Sequence, residues 1–166
     1  WSAIYLVVWI CNEGTSYFAE AIAKKFNKKS QPLIITMTEE LHVSDITQFS
    51  VPHLSSSNIE IKKIYGIIYK AMIEGRVVII NEIERGKTRV IESLNDVYEC
   101  NLLDDKSIKI DRGFDVNPKF RLIFTFHSNE QHKLSAAFFN RFIHIKMDPT
   151  GEISHYYNLA EKMPIN

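Results

Sequence analysis

Apolar residues occur along this chain in short unbroken runs. The runs Ile4–Cys11 and Arg76–Ile80 are rich in β-branched residues and show no polar alternation, which is typical of strands covered on both faces. Three further apolar runs are also predicted to be strands. The five predicted strands are Ile4–Cys11, Leu33–Met37, Arg76–Ile80, Phe120–Phe126 and Phe142–Met147.

Segments with helical periodicity lie between these runs. After the first strand, apolar residues recur at three- and four-residue steps from Phe18 to Phe26, and polar residues 27–31 end the pattern. The same periodicity predicts a helix over Glu60–Glu74, with Ile61, Ile64, Ile68 and Met72 on one face. Two more helices are predicted at Val90–Tyr98 and Leu134–Arg141.

Two connecting segments have a different pattern. His42–Asn58 is rich in Ser and Pro and is predicted to be a connection. A short alternation, Ile108-Lys109-Ile110, lies between two polar segments that resemble turns. We therefore predict a β-hairpin inserted at about residues 102–118, between the third helix and the fourth strand.

The order of these elements predicts the fold class. Strands that alternate with helices indicate an α/β structure with a mainly parallel sheet, because parallel neighbours need crossover connections. Ligands of such sheets bind beyond the carboxyl ends of the strands. This rule places three segments on one rim, namely Asn12–Ser16, Asn81-Glu82 and His127-Ser128.

Composition limits the size and the partners. A chain of 166 residues with 45% apolar content fits one globular domain with one core. Twenty basic residues balance twenty acidic ones, so no net field favours nucleic acid or an anionic membrane as a partner. Two cysteines, Cys11 and Cys100, are too few for a disulfide framework, and a reducing, intracellular compartment is expected.

The first apolar run, Ile4–Cys11, is much shorter than the roughly 20 residues that span a bilayer, so a soluble protein is expected. The chain begins at Trp1 rather than Met, directly before a predicted strand. We therefore expect it to be a piece of a longer protein.

A glycine-containing turn follows the first strand. A phosphate cradle needs such a turn, so that backbone N–H groups and the next helix N-terminus point at the anion. Against the pattern G-x-x-x-x-G-K-[ST], residues 9–16 keep Gly14 and the hydroxyl of Ser16, but have Trp9 for the first Gly and Thr15 for Lys. A simple turn in which Thr15 or Ser16 caps the helix explains these residues equally well.

A polar pair, Asn81-Glu82, ends the third predicted strand. It resembles the Walker B arrangement, with Asn81 at the position of the magnesium-associated Asp and Glu82 at that of the water-polarising Glu. Polar pairs at strand ends are common, so a structural explanation also stays open.

Several further segments resemble one family in order along the chain. These segments are Phe18–Ala23, Met37–Ile46, Lys70–Gly75, Val90–Asn95, Asn117–Leu122 and Leu134–Phe142, with the sequence Leu-Ser-Ala-Ala-Phe-Phe-Asn-Arg-Phe in the last. Together with the turn and the polar pair, they resemble the AAA+ modules of the midasin type, which are related to dynein. The resemblance covers nearly the whole chain and implies a P-loop AAA+ core over residues 1–149. Residues 150–166 would be an extension or the start of a linker, and no helical lid is evident there.

The resemblance implies specific roles. Gly14, Thr15 and Ser16 would form the phosphate loop for ATP, and Ser16 and Asn81 would hold Mg²⁺. Asn81 and Glu82 would be the hydrolytic pair. His127, or less favourably Ser128, would take the sensor position after the fourth strand. Arg141 would be an arginine finger that acts in trans on a neighbouring module; a structural arginine at a helix end is the alternative.

The departures from the family pattern fall on this chemistry. Replacing the loop Lys by Thr15 removes a charge-assisted hydrogen bond and should lower nucleotide affinity roughly ten- to a hundredfold. Trp9 has a bulky side chain where the turn needs glycine. Asn81 lacks the carboxylate that would orient Mg²⁺. Weak or absent hydrolysis is therefore expected.

Three functions are consistent with these residues. The favoured one is a degenerate module of a ring-forming ATPase, with adjacent AAA+ modules as partners. The midasin resemblance implies remodelling of a pre-ribosomal particle in large-subunit assembly, and a nuclear location; otherwise the location would be cytoplasmic. The second is an ATPase domain that still binds and slowly hydrolyses ATP. The third is a non-enzymatic scaffold that uses the predicted hairpin at 102–118.

Overall fold

The structure is a computed structural model and describes residues 5–10, 15–27, 30–55, 58–95, 97, 115–127, 134–140 and 142–147. The elements along the chain are β1 (Tyr5–Ile10), α1 (Thr15–Phe26), β2 (Leu33–Thr36), α2 (Val43–Ile46), β3 (Gln48–Ser55), β4 (Asn58–Tyr65), α3 (Ile67–Glu74), β5 (Val77–Asn81), a 3-10 turn (Ile83–Arg85), α4 (Thr88–Ser93), β6 (Arg121–His127), α5 (Ala136–Phe139) and β7 (Ile143–Met147).

Five strands form one sheet in the order β2-β5-β6-β1-β7. Every neighbouring pair in this sheet is parallel. The five predicted strands are confirmed, with ends that differ by one residue or less. The predicted α/β P-loop class with a mainly parallel sheet is also confirmed.

Apolar side chains cover both faces of the sheet. Along β5, Val77 and Ile79 pack in the cluster that contains α1, whereas Val78 and Ile80 pack in the larger cluster that contains α3 and α4. Because neighbouring strand residues point to opposite faces, an unbroken apolar run is what such a strand requires. Full burial of each of these side chains contributes roughly 1.5 to 3 kcal/mol.

An aromatic cluster joins β6 to α5. The ring centroid of Phe138 lies 5.4 Å from that of Phe124 and 4.6 Å from that of Phe142. All three side chains are buried. The Ser135 side chain caps α5 by accepting a hydrogen bond from the Phe138 N–H at 3.1 Å, so this short helix is held at its start and through its core contacts.

The predicted helix over Glu60–Glu74 is wrong in its first half. Residues Asn58–Tyr65 form β4, and only Ile67–Glu74 are helical. Gly66 separates the two elements because its N–H donates to Thr47 O at 2.5 Å, and a Cβ there would lie 2.7 Å from backbone atoms of Ile46 and Thr47. A continuous helix would need the Gly66 N–H to donate to the carbonyl of Lys62, four residues earlier, so the bond to Thr47 O ends the possibility of a helix through this point.

The segment predicted as a connection, His42–Asn58, contains α2 and β3. Strands β3 and β4 pair antiparallel as a separate two-stranded sheet. A β-hairpin is therefore inserted before α3. The hairpin predicted at 102–118 lies outside the described residues except for 115–118, which contain no strand.

The other predicted helices are present at the predicted positions, but their ends differ from the prediction. α4 begins at Thr88, two residues before the predicted start, and α5 spans Ala136–Phe139 within the predicted Leu134–Arg141. The extension at 150–166 lies outside the described residues. Within the described parts of the chain, no helix is long and apolar enough to cross a membrane.

Candidate functional site

The carboxyl ends of three central strands lie side by side. Ile10, the last residue of β1, is paired with His127 at the end of β6, and Ile80 of β5 is paired with Phe124. Asn81 and Glu82 follow Ile80 directly. The structure therefore brings the polar pair and His127 to one rim, beside the end of β1, as the sequence predicts.

Asn81 is the last residue of β5, and its side chain is hydrogen-bonded within the protein. The Thr125 hydroxyl donates to Asn81 Oδ1 at 3.1 Å, and Thr125 is 2% exposed. Asn81 itself is 9% exposed. The oxygen that an amide could offer to a metal ion is thus already an acceptor in a buried hydrogen bond.

Glu82 adopts a backbone conformation that is unusual for its residue type. Its φ of 55° and ψ of 49° lie in the left-handed helical region, which costs a non-glycine residue roughly 1 to 2 kcal/mol. Two hydrogen bonds hold this conformation, one from Glu82 N–H to Thr125 Oγ1 at 3.2 Å and one from Arg85 N–H to Glu82 O at 2.9 Å. Backbone outliers of this kind often occur at functional sites.

The Glu82 carboxylate lies between two basic side chains. Arg85 Nη1 is 3.1 Å from Oε2, and His127 Nε2 is 3.7 Å from Oε1. Both carboxylate oxygens therefore face a nitrogen of the same protein. Because the Arg85 side chain is 61% exposed, its pair with Glu82 is weak, and the carboxylate can exchange Arg85 for another partner.

Glu84, two residues after Glu82, is 4% exposed. Its Oε1 accepts a hydrogen bond from the His127 N–H at 3.2 Å. Within the described residues its Oε2 is buried and has no hydrogen-bond partner. The sequence analysis missed Glu84, Arg85 and Thr125, although a single polar Thr125 within the apolar strand β6 was a visible signal.

The predicted phosphate loop is described only at its end. Thr15 is the first residue of α1, and Ser16 is exposed in the first turn of this 12-residue helix. No acidic residue lies in that first turn. The N-terminal end of such a helix can bind an anion through its free backbone N–H groups, so Thr15 and Ser16 are placed to contact the phosphates of a nucleotide. Gly14, the Trp9 side chain, Ser128 and Arg141 lie outside what the structure describes.

The described residues fit a magnesium ion poorly. Mg²⁺ in phosphoryl-transfer sites is held through one or two carboxylates. Asn81 has no carboxylate, and its Oδ1 accepts a hydrogen bond from Thr125. The Glu82 carboxylate is paired with Arg85. Among the described residues no group of three or more His, Cys, Asp or Glu side chains could hold a metal ion.

Comparisons with known proteins bear on the fold and the family of this chain. No curated protein sequence matches the chain. The crystal structure of a candidate ATPase from Cytophaga hutchinsonii shares the fold, with a TM-score of 0.51 and 16% identity. That match covers 98% of this chain and 47% of the other, so the chain spans about half the length of that protein. A family model for the AAA domain of the dynein-related subfamily matches residues 13–142, and the chain therefore belongs to that family.

Proposed function

We propose that this chain is a module of a larger ring-forming AAA+ ATPase and that it hydrolyses ATP weakly or not at all. The observation that carries this proposal is that the two polar residues at the carboxyl end of β5 already have partners within the protein. The neutral Asn81 side chain accepts a hydrogen bond from Thr125, and the Glu82 carboxylate is paired with Arg85 at 3.1 Å. At the two described positions where the family has the metal-holding and the water-polarising carboxylates, the chain therefore has a neutral amide and a carboxylate that is already paired.

The start of α1 supports the same proposal. Thr15 provides a hydroxyl where the P-loop pattern has an ammonium group. An ammonium group donates charge-assisted hydrogen bonds to phosphate, which are roughly twice as strong as neutral ones. Backbone N–H groups and Ser16 would remain to bind phosphate, so weak ATP binding is the upper limit we propose.

The finer role rests on the resemblance to midasin-type modules. We propose that the chain acts beside adjacent AAA+ modules and that Arg141 completes a neighbour's nucleotide site as an arginine finger. Such a finger can raise the rate of the site it completes by about a thousandfold or more. Remodelling of a pre-ribosomal particle in the nucleus belongs to the same proposal and has the same support.

A slow ATPase is the second candidate. It is favoured by the presence of Glu82 at the family's glutamate position and by the exposed Ser16 in the first turn of α1. In this case Glu82 would leave Arg85 when nucleotide binds. The Arg85 side chain is mostly exposed, so the ion pair is weak enough to exchange.

A non-enzymatic scaffold is the third candidate. The predicted hairpin at 102–118 lies outside the described residues, but β3 and β4 form another hairpin that exposes Leu54, Ile59 and Ile61. Exposed apolar side chains grouped on one surface are typical of protein contacts. This function would need no nucleotide.

Restoring the missing groups separates these candidates. We would measure binding of a fluorescent ATP analogue to the chain and to variants with Thr15→Lys, Asn81→Asp or both, with and without Mg²⁺. The proposal predicts an affinity gain of about tenfold or more for Thr15→Lys, and Mg²⁺-dependent binding only in variants with Asn81→Asp. Thr88→Lys is a matched control, because Thr88 is the exposed first residue of α4.

Each result has a distinct meaning. An unchanged affinity in the doubly restored variant would show that the geometry of the loop, and not its charge, prevents binding. Tight Mg²⁺-dependent binding by the unaltered chain would contradict the proposal of a degenerate site and favour the slow ATPase.

A further inference from the structure

The hairpin formed by β3 and β4 carries exposed apolar side chains on one face. Two residues that lie opposite each other in an antiparallel pair point to the same face, as do residues two positions apart along a strand. By this rule one face of the hairpin carries four apolar residues, namely Leu54 with its partner Ile59 and Pro52 with its partner Ile61. Ile59 is 73% exposed and Ile61 is 76% exposed, so the chain leaves most of this face uncovered.

The hydrogen-bonding pattern of the hairpin shows which backbone groups point outwards. The Gly66 N–H donates to Thr47 O, and these two residues lie opposite each other one position beyond the end of the ladder. Hydrogen-bonded and non-hydrogen-bonded pairs alternate along an antiparallel ladder, so Pro52 and Ile61, five positions further, form a non-hydrogen-bonded pair. Pro52 agrees with this assignment, because its missing N–H is not needed at such a position.

The outer edge of β4 offers backbone groups to another strand. Ile59 and Ile61 occupy non-hydrogen-bonded positions, so their N–H and C=O groups point away from β3. Among the described residues no strand pairs with this side of β4. The outer edge of β3 lacks the donor of Pro52. An exposed edge with apolar side chains is a template for pairing with another chain, and β4 is therefore the edge that can accept a strand.

The charges along β4 indicate which strand fits this edge. The sequence is Ile59-Glu60-Ile61-Lys62-Lys63. If a second copy of β4 pairs antiparallel about a two-fold axis at Ile61, Glu60 of each copy lies opposite Lys62 of the other. Opposite charges at such positions stabilise a sheet, whereas like charges destabilise it. Axes at Glu60, Lys62 or Lys63 would place like charges opposite each other. An axis at Ile59 would form no charge pair.

We propose that the outer edge of β4 binds β4 of a second copy of this chain, so that two hairpins form one four-stranded antiparallel sheet with a two-fold axis at Ile61. Both copies use the same surface in such an interface, and it is therefore self-complementary. The two Ile61 side chains meet on the apolar face, and the two pairs of Glu60 with Lys62 lie on the opposite face. The hairpin is a sheet separate from the one that ends at Glu82, and the pairing does not depend on the proposed nucleotide function.

Sedimentation velocity of the full chain over a range of concentrations tests this pairing. A contact made by one strand of each copy buries less than about 1,200 Å², so we expect a weak dimer with a dissociation constant of about 10 to 500 µM. Glu60→Lys and Lys62→Glu each place like charges opposite each other, and each should weaken the dimer about tenfold or more.

Mixing the two charge variants tests the position of the two-fold axis. In a mixed dimer, Lys at position 60 faces Glu at position 62 and the reverse, so two opposite-charge pairs form again. The equimolar mixture should therefore associate about as tightly as the parent chain. Lys70→Glu is the matched control, because Lys70 is exposed on α3 and its replacement changes the charge by the same amount as Lys62→Glu.

Ile61→Pro tests the backbone contribution. It removes an N–H that points outwards and no hydrogen bond of the hairpin, as Pro52 already does in the opposite strand. This variant should be monomeric, whereas Ile61→Val keeps the N–H and a branched side chain and should dimerise as the parent chain does. Circular dichroism and urea unfolding check that each variant keeps its fold.

The outcomes decide the proposal. A dimer that both charge variants weaken and that their mixture restores supports pairing through β4 about Ile61. A chain that stays monomeric up to about 1 mM overturns the proposal. A dimer that is unchanged by Glu60→Lys, or a mixture that associates no better than each variant alone, overturns it as well.

Discussion

Replacing Thr125 with valine removes one hydroxyl from the middle of β6 and keeps the branched shape of the side chain. That hydroxyl accepts the Glu82 N–H at 3.2 Å and donates to Asn81 Oδ1 at 3.1 Å. Thr125→Val therefore leaves a donor and an acceptor unpaired in a largely buried place. Each unpaired group costs about 1 to 3 kcal/mol, and we expect a total loss of about 2 to 4 kcal/mol because Glu82 is only partly buried.

Urea denaturation followed by circular dichroism measures this loss. With a denaturant slope of about 2 kcal/mol/M, the midpoint should fall by about 1 to 2 M. Thr125→Ser is the control: it keeps both hydrogen bonds and removes one methyl group, for a cost of about 1 kcal/mol. If Thr125→Val is as stable as Thr125→Ser, the hydroxyl does not hold the strand end and the account of this site is refuted.

Three further substitutions test other parts of the structure. Gly75→Ala should lower the free energy of unfolding by about 2 kcal/mol or more, because φ of residue 75 is +72° and the new Cβ would lie 2.5 Å from the Asn117 side chain. Urea unfolding measures this loss, and a variant as stable as the parent would contradict the left-handed cap of α3. Phe138→Ala should lower the free energy of unfolding by about 3 to 5 kcal/mol, because the Phe138 ring packs against Phe124 and Phe142. Calorimetric unfolding measures this loss, and a value below about 1 kcal/mol would argue against that packing. Arg85→Ala should change stability by less than about 1 kcal/mol at low salt, since its side chain is 61% exposed, and a larger loss would show a stronger pair with Glu82 than the structure indicates.

The sheet could be predicted because its strands have a simple pattern. Val77–Ile80 is an unbroken apolar run, and both faces of β5 are covered, so the sequence and the burial agree. The hairpin was missed for a physical reason. Ile61, Ile64, Ile68 and Met72 fit a helical face, but they lie on both sides of the junction at Gly66, and Ile61 is 76% exposed on β4. The alternation of Ile59 and Ile61 with charged neighbours was the competing strand signal.

The site could be predicted only in part. The position of Asn81, Glu82 and His127 on one rim could be predicted because they end or follow strands, and the carboxyl ends of parallel strands meet at one edge. Their contacts could not be predicted. The hydrogen bond from Thr125 to Asn81 depends on the register between β5 and β6. The burial of Glu84 depends on the conformation of the 3-10 turn that follows Glu82. Neither property is visible in the order of residues along the chain.

Equilibrium binding of a fluorescent ATP analogue to the unaltered chain, in the presence of Mg²⁺, tests the central claim most directly. Ser16→Ala and Glu82→Gln serve as controls for the start of α1 and for the end of β5. The account predicts a dissociation constant weaker than about 100 µM, with little change in either variant. A tighter dissociation constant that weakens in Ser16→Ala would contradict it and would show a working nucleotide site.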